Sequence, residues 1–393
     1  MTDSDIVAQE QTPFHDLEAY IALPRVGGLV LSPDGSRLIT SVATLDPKKV
    51  RYVNALWEVD PTGVRPARRL TRSAKGESGA AFLPDGSVAF VSARPDPAAE
   101  DSDDEKAALW LLPADGGEAR VIATRPGGVS GVVVAAHSGA ILVNSSTLPG
   151  AATREDDEKR RKDRKDRKIS AILHETYPIR YWDHDLGPDA PRLFIGNAVV
   201  GDALSGDAGA GLDPKQVDLV DITPDAERAL AAGDPSYDIS PDGGTVVSTW
   251  ALPERGGSRT GVVAIDVSSG ERRVLLGDVD YEYDGPRISP DGRTVAVVTM
   301  RRETSESAPD VWISIVDLAT GESRDLTKDW DRWPSRAAWT RDGSAIVVSA
   351  DEGGASPLFR VDATTGAVVR LTGDHGAYSD AQISPDGRFV YAL

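Results

Sequence analysis

Ile288-Ser289-Pro290-Asp291-Gly292-Arg293-Thr294-Val295-Ala296-Val297-Val298 decides how this chain is read. Proline presets φ at the second position of a type I turn, aspartate bonds the local backbone, and glycine takes the left-handed conformation that returns the chain. An apolar residue precedes the turn and an alternating β-branched run follows it, which predicts two antiparallel strands joined by a tight hairpin. The same x-[Pro/Arg]-Asp-Gly tetrad stands at Ser32–Gly35, Leu83–Gly86, Ser240–Gly243, Thr340–Gly343 and Ser384–Gly387. Most copies lie about fifty residues apart, a period that belongs to repeat architectures.

A second turn follows each of five copies. Val59-Asp60-Pro61-Thr62-Gly63, Leu112 to Gly117, Ile265 to Gly270, Val316 to Gly321 and Val361 to Gly366 read as the connection between a third and a fourth strand. Four antiparallel strands per period predict a propeller blade, whose neighbours bury each other's faces around a central channel. The long gap between Asp85 and Asp242 holds a degenerate copy, Val132 to Val143, which keeps strand, turn and strand without the Pro-Asp pair. The reading is therefore an all-β, seven-bladed propeller of four-stranded antiparallel blades, its seventh blade incomplete at Leu393. Residues 1–27 form a lead-in and 28–393 the propeller, with an insertion in blade three at about 150–211.

With 62 acidic against 43 basic residues, the formal net charge of -19 argues against nucleic acid as a partner. The chain has no cysteine, so a disulfide framework and a catalytic thiol are excluded. Met1-Thr2-Asp3-Ser4-Asp5 lacks the basic region and apolar core of a signal peptide, and no apolar run is long enough to cross a bilayer. These features predict a cytoplasmic location and no membrane partner.

The insertion breaks the β pattern. Along Arg154 to Lys168, Glu155 and Lys159, Asp156 and Arg160, Asp157 and Arg161, and Glu158 and Lys162 stand four apart with the acid first, which predicts a solvated helix. The interleaved acids cancel the field that a nucleic-acid arm would need. His174, Glu175, Asp183, His184 and Asp185 follow closely but lack a recognised ligand spacing, so no metal and no cofactor is expected. His15, His137 and His375 are solitary.

The charged helix, followed by Ile169-Ser170-Ala171-Ile172-Leu173-His174-Glu175-Thr176-Tyr177-Pro178-Ile179-Arg180-Tyr181-Trp182-Asp183-His184, resembles the third-blade insertion of bacterial prolyl oligopeptidase-type serine peptidases, the S9 family. The dipeptidyl aminopeptidase and acylaminoacyl-peptidase members are the most similar. Thr12 to Arg25 resembles the family's lead-in, and Leu326-Thr327-Lys328-Asp329-Trp330-Asp331-Arg332-Trp333-Pro334 resembles its approach to the sixth blade.

The resemblance implies an α/β-hydrolase domain after the propeller, with its nucleophile on a Gly-x-Ser-x-Gly elbow and Asp and His following. No such elbow occurs in these 393 residues; Ser78, Ser130 and Ser205 have glycine nearby but not at both offsets. The expectation is that the hydrolase domain is absent from this chain, that no catalytic residue lies in it, and that it is inactive alone. By resemblance, the propeller gates access and helps bind short peptides. Its partners would be a peptide substrate and the hydrolase domain or chain, with room for a homo-oligomer. The other reading is a free-standing propeller acting as a protein–protein interaction module, which predicts a ring closed by a complete last blade.

Residues just before each Asp-Gly turn approach the channel and its mouth. That places Tyr237 with Asp238, Tyr281, Glu282, Tyr283 and Asp284 with Arg287, Trp333 with Arg336, and Tyr378 with Asp380 as the candidate substrate-facing residues. Glu282 would hold a peptide's free α-amino group through a charge-assisted hydrogen bond. The competing role for each of them is packing between blades.

Overall fold

Five of the six Asp-Gly turns are locked by a hydroxyl two residues before the aspartate. Ser32, Ser240, Ser289, Thr340 and Ser384 donate to the Oδ1 atoms of Asp34, Asp242, Asp291, Asp342 and Asp386 at 2.5–2.7 Å. The same hydroxyls accept the backbone N–H of Arg37, Thr245, Thr294, Ala345 and Phe389, so one side chain closes the turn from both directions. Leu83 takes this place in the second blade, where Ser87 bonds Asp85 instead.

The computed structural model describes residues 13–95, 106–174, 179–197, 217–226, 229–230 and 235–393. They form a β-propeller. Blade one holds strands Arg25–Leu31, Leu38–Leu45, Tyr52–Val59 and Arg68–Arg69, and blade two holds Glu77–Phe82, Val88–Ser92, Ala108–Leu112 and Arg120–Ala123. Blade three is built from Ser130–Val134, Ala140–Thr147, Ala190–Asn197 and Val220–Asp221. Blade four runs through Tyr237–Ile239, Thr245–Glu254, Gly257–Asp266 and Arg272–Leu276, and blade five through Tyr281–Ile288, Thr294–Arg301, Asp310–Asp317 and Ser323–Asp325. Blade six comprises Ala338–Trp339, Ala345–Ser349, Leu358–Asp362 and Val368–Arg370. Within every blade the strands are antiparallel, and all five of the expected second turns join a third strand to a fourth.

The blade count differs from the sequence reading. The described residues form six four-stranded blades, not seven. What reads as the opening of a seventh is a separate two-stranded sheet, Gln382–Ile383 against Val390–Tyr391, because each strand of this hairpin pairs over only two residues. The hairpin sits between blade six and blade one, touching the inner strand of each. Pro385 of its turn packs on Gly35 of the first turn, as Pro241 does on Gly292 and Pro290 on Gly343.

Five buried apolar clusters fill the five seams from blade one to blade six. Trp110, in the seam between blades one and two, is among the largest fully buried side chains, and burying a Val, Leu or Ile side chain contributes about 1.5–3 kcal/mol each. The final hairpin takes little part, since Ile383, Val390 and Tyr391 are only partly buried and Phe389 is exposed.

The insertion also differs from its expected span of 150–211. Ala190–Asn197 is the third strand of blade three, paired along its length with Ala140–Thr147, so the excursion lies between these two strands. Residues 198–211 of the expected span fall outside the described residues. The helix, Arg154–Asp166, is capped by Thr153, whose hydroxyl accepts the N–H of Asp156. Two of the four expected acid-first pairs form, Asp156 with Arg160 at 2.9 Å and Asp157 with Arg161 at 3.1 Å. The helix is not solvated all round: Asp157 is fully buried and also accepts the N–H of Leu148 at 2.9 Å. Through that carboxylate the helix is bonded to the blade.

Candidate functional site

The inner strands of blades four and five run side by side, and side chains sew them to each other and to blade six. Asp238 accepts the backbone N–H of Ile288 at 2.8 Å, and Arg287 donates to the carbonyl of Tyr237 at 3.2 Å. Arg336, in the segment leading into blade six, donates to the hydroxyl of Ser236 at 2.6 Å, and the indole N–H of Trp339 bonds the carbonyl of Arg287 at 2.9 Å. Gly285 makes this approach possible. It sits at φ +58°, and a Cβ there would lie 3.1 Å from Nε of Arg336, so only glycine both adopts the left-handed backbone and leaves room. The strand also bulges between Asp284 and Arg287, which re-aims the side chains on either side.

The result is a mixed-charge cluster of Asp238, Asp284, Arg287, Arg336 and Asp380. Burial of its carboxyl raises the pKa of Asp238 even though Arg287 and the N–H of Ile288 pull the other way. Arg336 keeps contact with solvent, yet loss of water around its guanidinium, and then the like charge of Arg287, lowers its pKa. Asp284, Asp238 and Asp380 oppose that shift, which places all three carboxylates within electrostatic reach of Arg336. Burial drives the pKa of the Tyr237 phenol up to about 12, so it stays neutral.

Next to the cluster, between blades four and five, lies a cavity of about 410 Å³. Glu282, Tyr283 and Asp284 line one side, and Thr249, Trp250 and Met300 contribute to the rest. Glu254 and Arg302 form a bidentate pair at 2.8 and 2.9 Å, which raises the pKa of the guanidinium and lowers that of the carboxyl. Glu282 meets Arg302 only at 3.8 Å, so its charge is not consumed by that pair. Apolar walls with two carboxylates at the rim suit an ammonium group attached to an apolar body.

The structure thus brings together Tyr237, Arg287, Arg336 and Asp380, and sets Glu282 and Tyr283 on the adjoining cavity. Tyr283 is also a core residue of the seam, its phenol pushed up to about 12 by burial and then by Asp278. Three candidates stand apart. Tyr281 packs edge-on against Trp312 at 5.8 Å inside blade five. Trp333 is exposed on a separate hollow with Arg332 and Glu352. Tyr378 donates to Asp374 at 2.8 Å within its own loop. Ser236, Gly285, Trp250 and Thr249 were not singled out from sequence; the Gly285-Pro286 pair interrupting an inner strand was the available signal for the bulge. Among the described residues no group of three or more His, Asp or Glu is placed to hold a metal ion. Of the five residues considered as ligands, Glu175 lies outside the described residues.

A family model described as the TolB β-propeller domain matches residues 234–393. Dipeptidyl-peptidase 5 of Aspergillus fumigatus is 28% identical over 209 residues, covering 49% of this chain and 28% of that protein. Dipeptidyl-peptidase 5 of Porphyromonas gingivalis is 24% identical over 381 residues, covering 94% of this chain and 51% of that protein. This chain is related to the propeller region of S9-family serine peptidases. It spans about half or less of the length of these relatives. Among solved structures, an acylaminoacyl peptidase bound to a peptide chloromethyl ketone superposes with a TM-score of 0.59 at 12% identity, over 90% of this chain and 47% of that one. The β-propeller domain of the trilobed protease from Pyrococcus furiosus gives 0.56 at 11% identity, over 91% and 88% of the two chains. An oligogalacturonate lyase in complex with manganese gives 0.61 at 15% identity, over 93% and 86%, so the fold is shared across chemistries and does not carry function by itself.

Proposed function

We propose that this S9-related propeller is the non-catalytic part of a serine peptidase, restricting access to the catalytic site and helping to bind short peptides. Cleavage takes place on a serine of an α/β-hydrolase part, which supplies nucleophile, base and oxyanion hole from outside these residues. The propeller supplies a binding surface: the peptide's α-ammonium sits against Glu282 and Asp284, and its first side chains rest on Trp250, Tyr283 and Met300. The observation that carries the reading is the alignment with dipeptidyl-peptidase 5 along 94% of the chain, together with a cavity whose rim carries two carboxylates.

Fluorescence polarisation with a C-terminally labelled tripeptide tests it. The peptide with a free amino terminus should bind more tightly than its N-acetylated form, and Glu282→Gln should remove most of the difference. A charge-assisted hydrogen bond contributes about 1.5–3 kcal/mol, so roughly a tenfold or greater change is expected. Equal affinity for the two peptides would overturn the binding role. Turnover of aminoacyl-p-nitroanilides that co-purifies with the chain would overturn its non-catalytic role.

A further inference from the structure

A second cavity, of about 510 Å³, opens between the outer strands of blades two and three, far along the fold from the cluster above. Three arginines line it, one from each of three separate segments: Arg125 after blade two, Arg154 at the start of the insertion helix, and Arg192 in the third strand of blade three. Two of them have protein partners. Arg154 donates to the carbonyl and hydroxyl of Thr124, both at 2.7 Å. Arg192, nine-tenths buried, donates to Asp221 at 3.0 Å and to the carbonyl of Ala151 at 3.2 Å.

Arg125 is different. Its guanidinium carbon lies over the ring of Phe194, 4.0 Å from the centroid, and its buried Nε has no hydrogen-bond partner among the described residues. No carboxylate pairs with it among the described residues. Burial, and then the neighbouring positive charge of Arg154, lowers its pKa against the pull of Asp221 and Asp157. Thr147, also on the lining and nearly fully buried, has a hydroxyl without a partner among the described residues. The unpartnered N–H of a guanidinium suits an oxygen of a tetrahedral or planar oxyanion.

One carboxylate on this cavity neutralises Arg192, and the other two face solvent. Asp221 is taken up by Arg192 and by the N–H of Thr223 at 2.9 Å. Glu155 and Asp218 are exposed. Glu155 is held by hydrogen bonds in the first turn of its helix, which lower its pKa.

We propose that this cavity is a binding site for a phosphate-class oxyanion, with Arg125 its principal ligand and Arg154, whose partner atoms on Thr124 are uncharged, supplying further positive charge. The site is independent of the peptide cavity, and its occupant would tie the insertion to the seam between blades two and three.

Isothermal titration and thermal unfolding with inorganic phosphate, at constant ionic strength against chloride, test the assignment. The protein should show one saturable site and a phosphate-dependent rise in Tm. Arg125→Gln should weaken binding at least tenfold while leaving the far-ultraviolet circular dichroism unchanged. Glu155→Gln, a change at an exposed position, should tighten it, which keeps the test decisive if Arg125→Gln folds poorly. Citrate in place of phosphate separates the classes: citrate binding without phosphate binding would overturn the phosphate assignment. The absence of a saturable phosphate site, or equal affinity in the wild type and both variants, would overturn the proposal altogether.

Discussion

Replacing Gly35 by alanine probes how the ring is held where blade one meets the final hairpin. Gly35 has φ +75°, and a Cβ there would stand 2.7 Å from Cδ and 3.1 Å from Cγ of Pro385. Gly343 is the matched control: its φ is +68°, but the nearest atom to a Cβ is Cδ of Pro290 at 4.0 Å, an ordinary contact. Alanine in the left-handed region costs about 1–2 kcal/mol at either site. A proline ring cannot swing aside, so Gly35→Ala adds an overpacking term of about 1–3 kcal/mol. Gly343→Ala should therefore lose about 1–2 kcal/mol, and Gly35→Ala about 2–5 kcal/mol. Urea denaturation followed by the fluorescence of the eight tryptophans measures both. Hydrogen exchange across 382–391 then reports whether Gly35→Ala releases the hairpin instead of unfolding the ring. Equal destabilisation of the two variants, with equal exchange in that segment, would refute the claim that the hairpin closes against blade one.

Three further outcomes are expected. Asp157→Ala removes the buried carboxylate that holds Arg161 and the N–H of Leu148; Arg161 keeps Asp189 at 2.8 Å, so the loss should be about 2–3 kcal/mol, below that of a fully orphaned buried charge. Tryptic cleavage after Arg160 and Arg161 should then speed up about 30- to 150-fold, while the exposed Glu158→Ala leaves it unchanged. The turn aspartates set an acid limit: Asp34 and Asp342 are lowered to about 2, chiefly by the hydroxyls of Ser32 and Thr340. Because the folded pKa lies below the unfolded value, their stabilisation is present above about pH 4 and is lost as the pH falls towards 2, and Ser32→Ala should flatten that limb of a Tm–pH curve. Glu77 behaves oppositely: burial raises its pKa against the hydrogen bonds from Thr71 and Ser73, so its contribution fades as the pH rises through the folded value. Glu77→Gln should compare best with wild type at pH 8 and worst at pH 4.

The architecture is legible because its signals are local. A hydroxyl, a proline, an aspartate and a glycine within four residues define a turn without reference to the rest of the chain, and the structure reproduces every copy as a hairpin. What was not legible depends on pairing between distant segments. Ala190–Asn197 reads as part of the insertion because Pro191 and the charged Arg192 interrupt its apolar run, yet Pro191 sits opposite Ser146 near the end of the ladder, where a missing donor is tolerated. Asp157 reads as one more solvated acid in a charged helix, since nothing in the repeat of charges reveals the N–H of Leu148 waiting for it.

The same distinction governs the candidate site. Distance from an Asp-Gly turn puts Tyr237, Asp238 and Arg287 on neighbouring inner strands and Arg336 just ahead of the next one, because the turn fixes how far each residue lies along the chain. It cannot fix which way a side chain faces once the strand bulges, and the bulge between Asp284 and Arg287 is where the reading of blade five divides. Tyr281 and Tyr283 turn towards the apolar seam, and Glu282 and Asp284, one residue out of phase, reach the cavity rim. Alternation along the strand sets Tyr281 into packing and the two acids onto the cavity, while Tyr283 serves both the seam and the cavity wall. The energetics agree, since an aromatic ring gains most from being enclosed by a neighbouring blade, whereas a carboxylate buried there without a partner would be costly. At the cavity rim the carboxylates keep solvent, and a ligand's ammonium can replace that water.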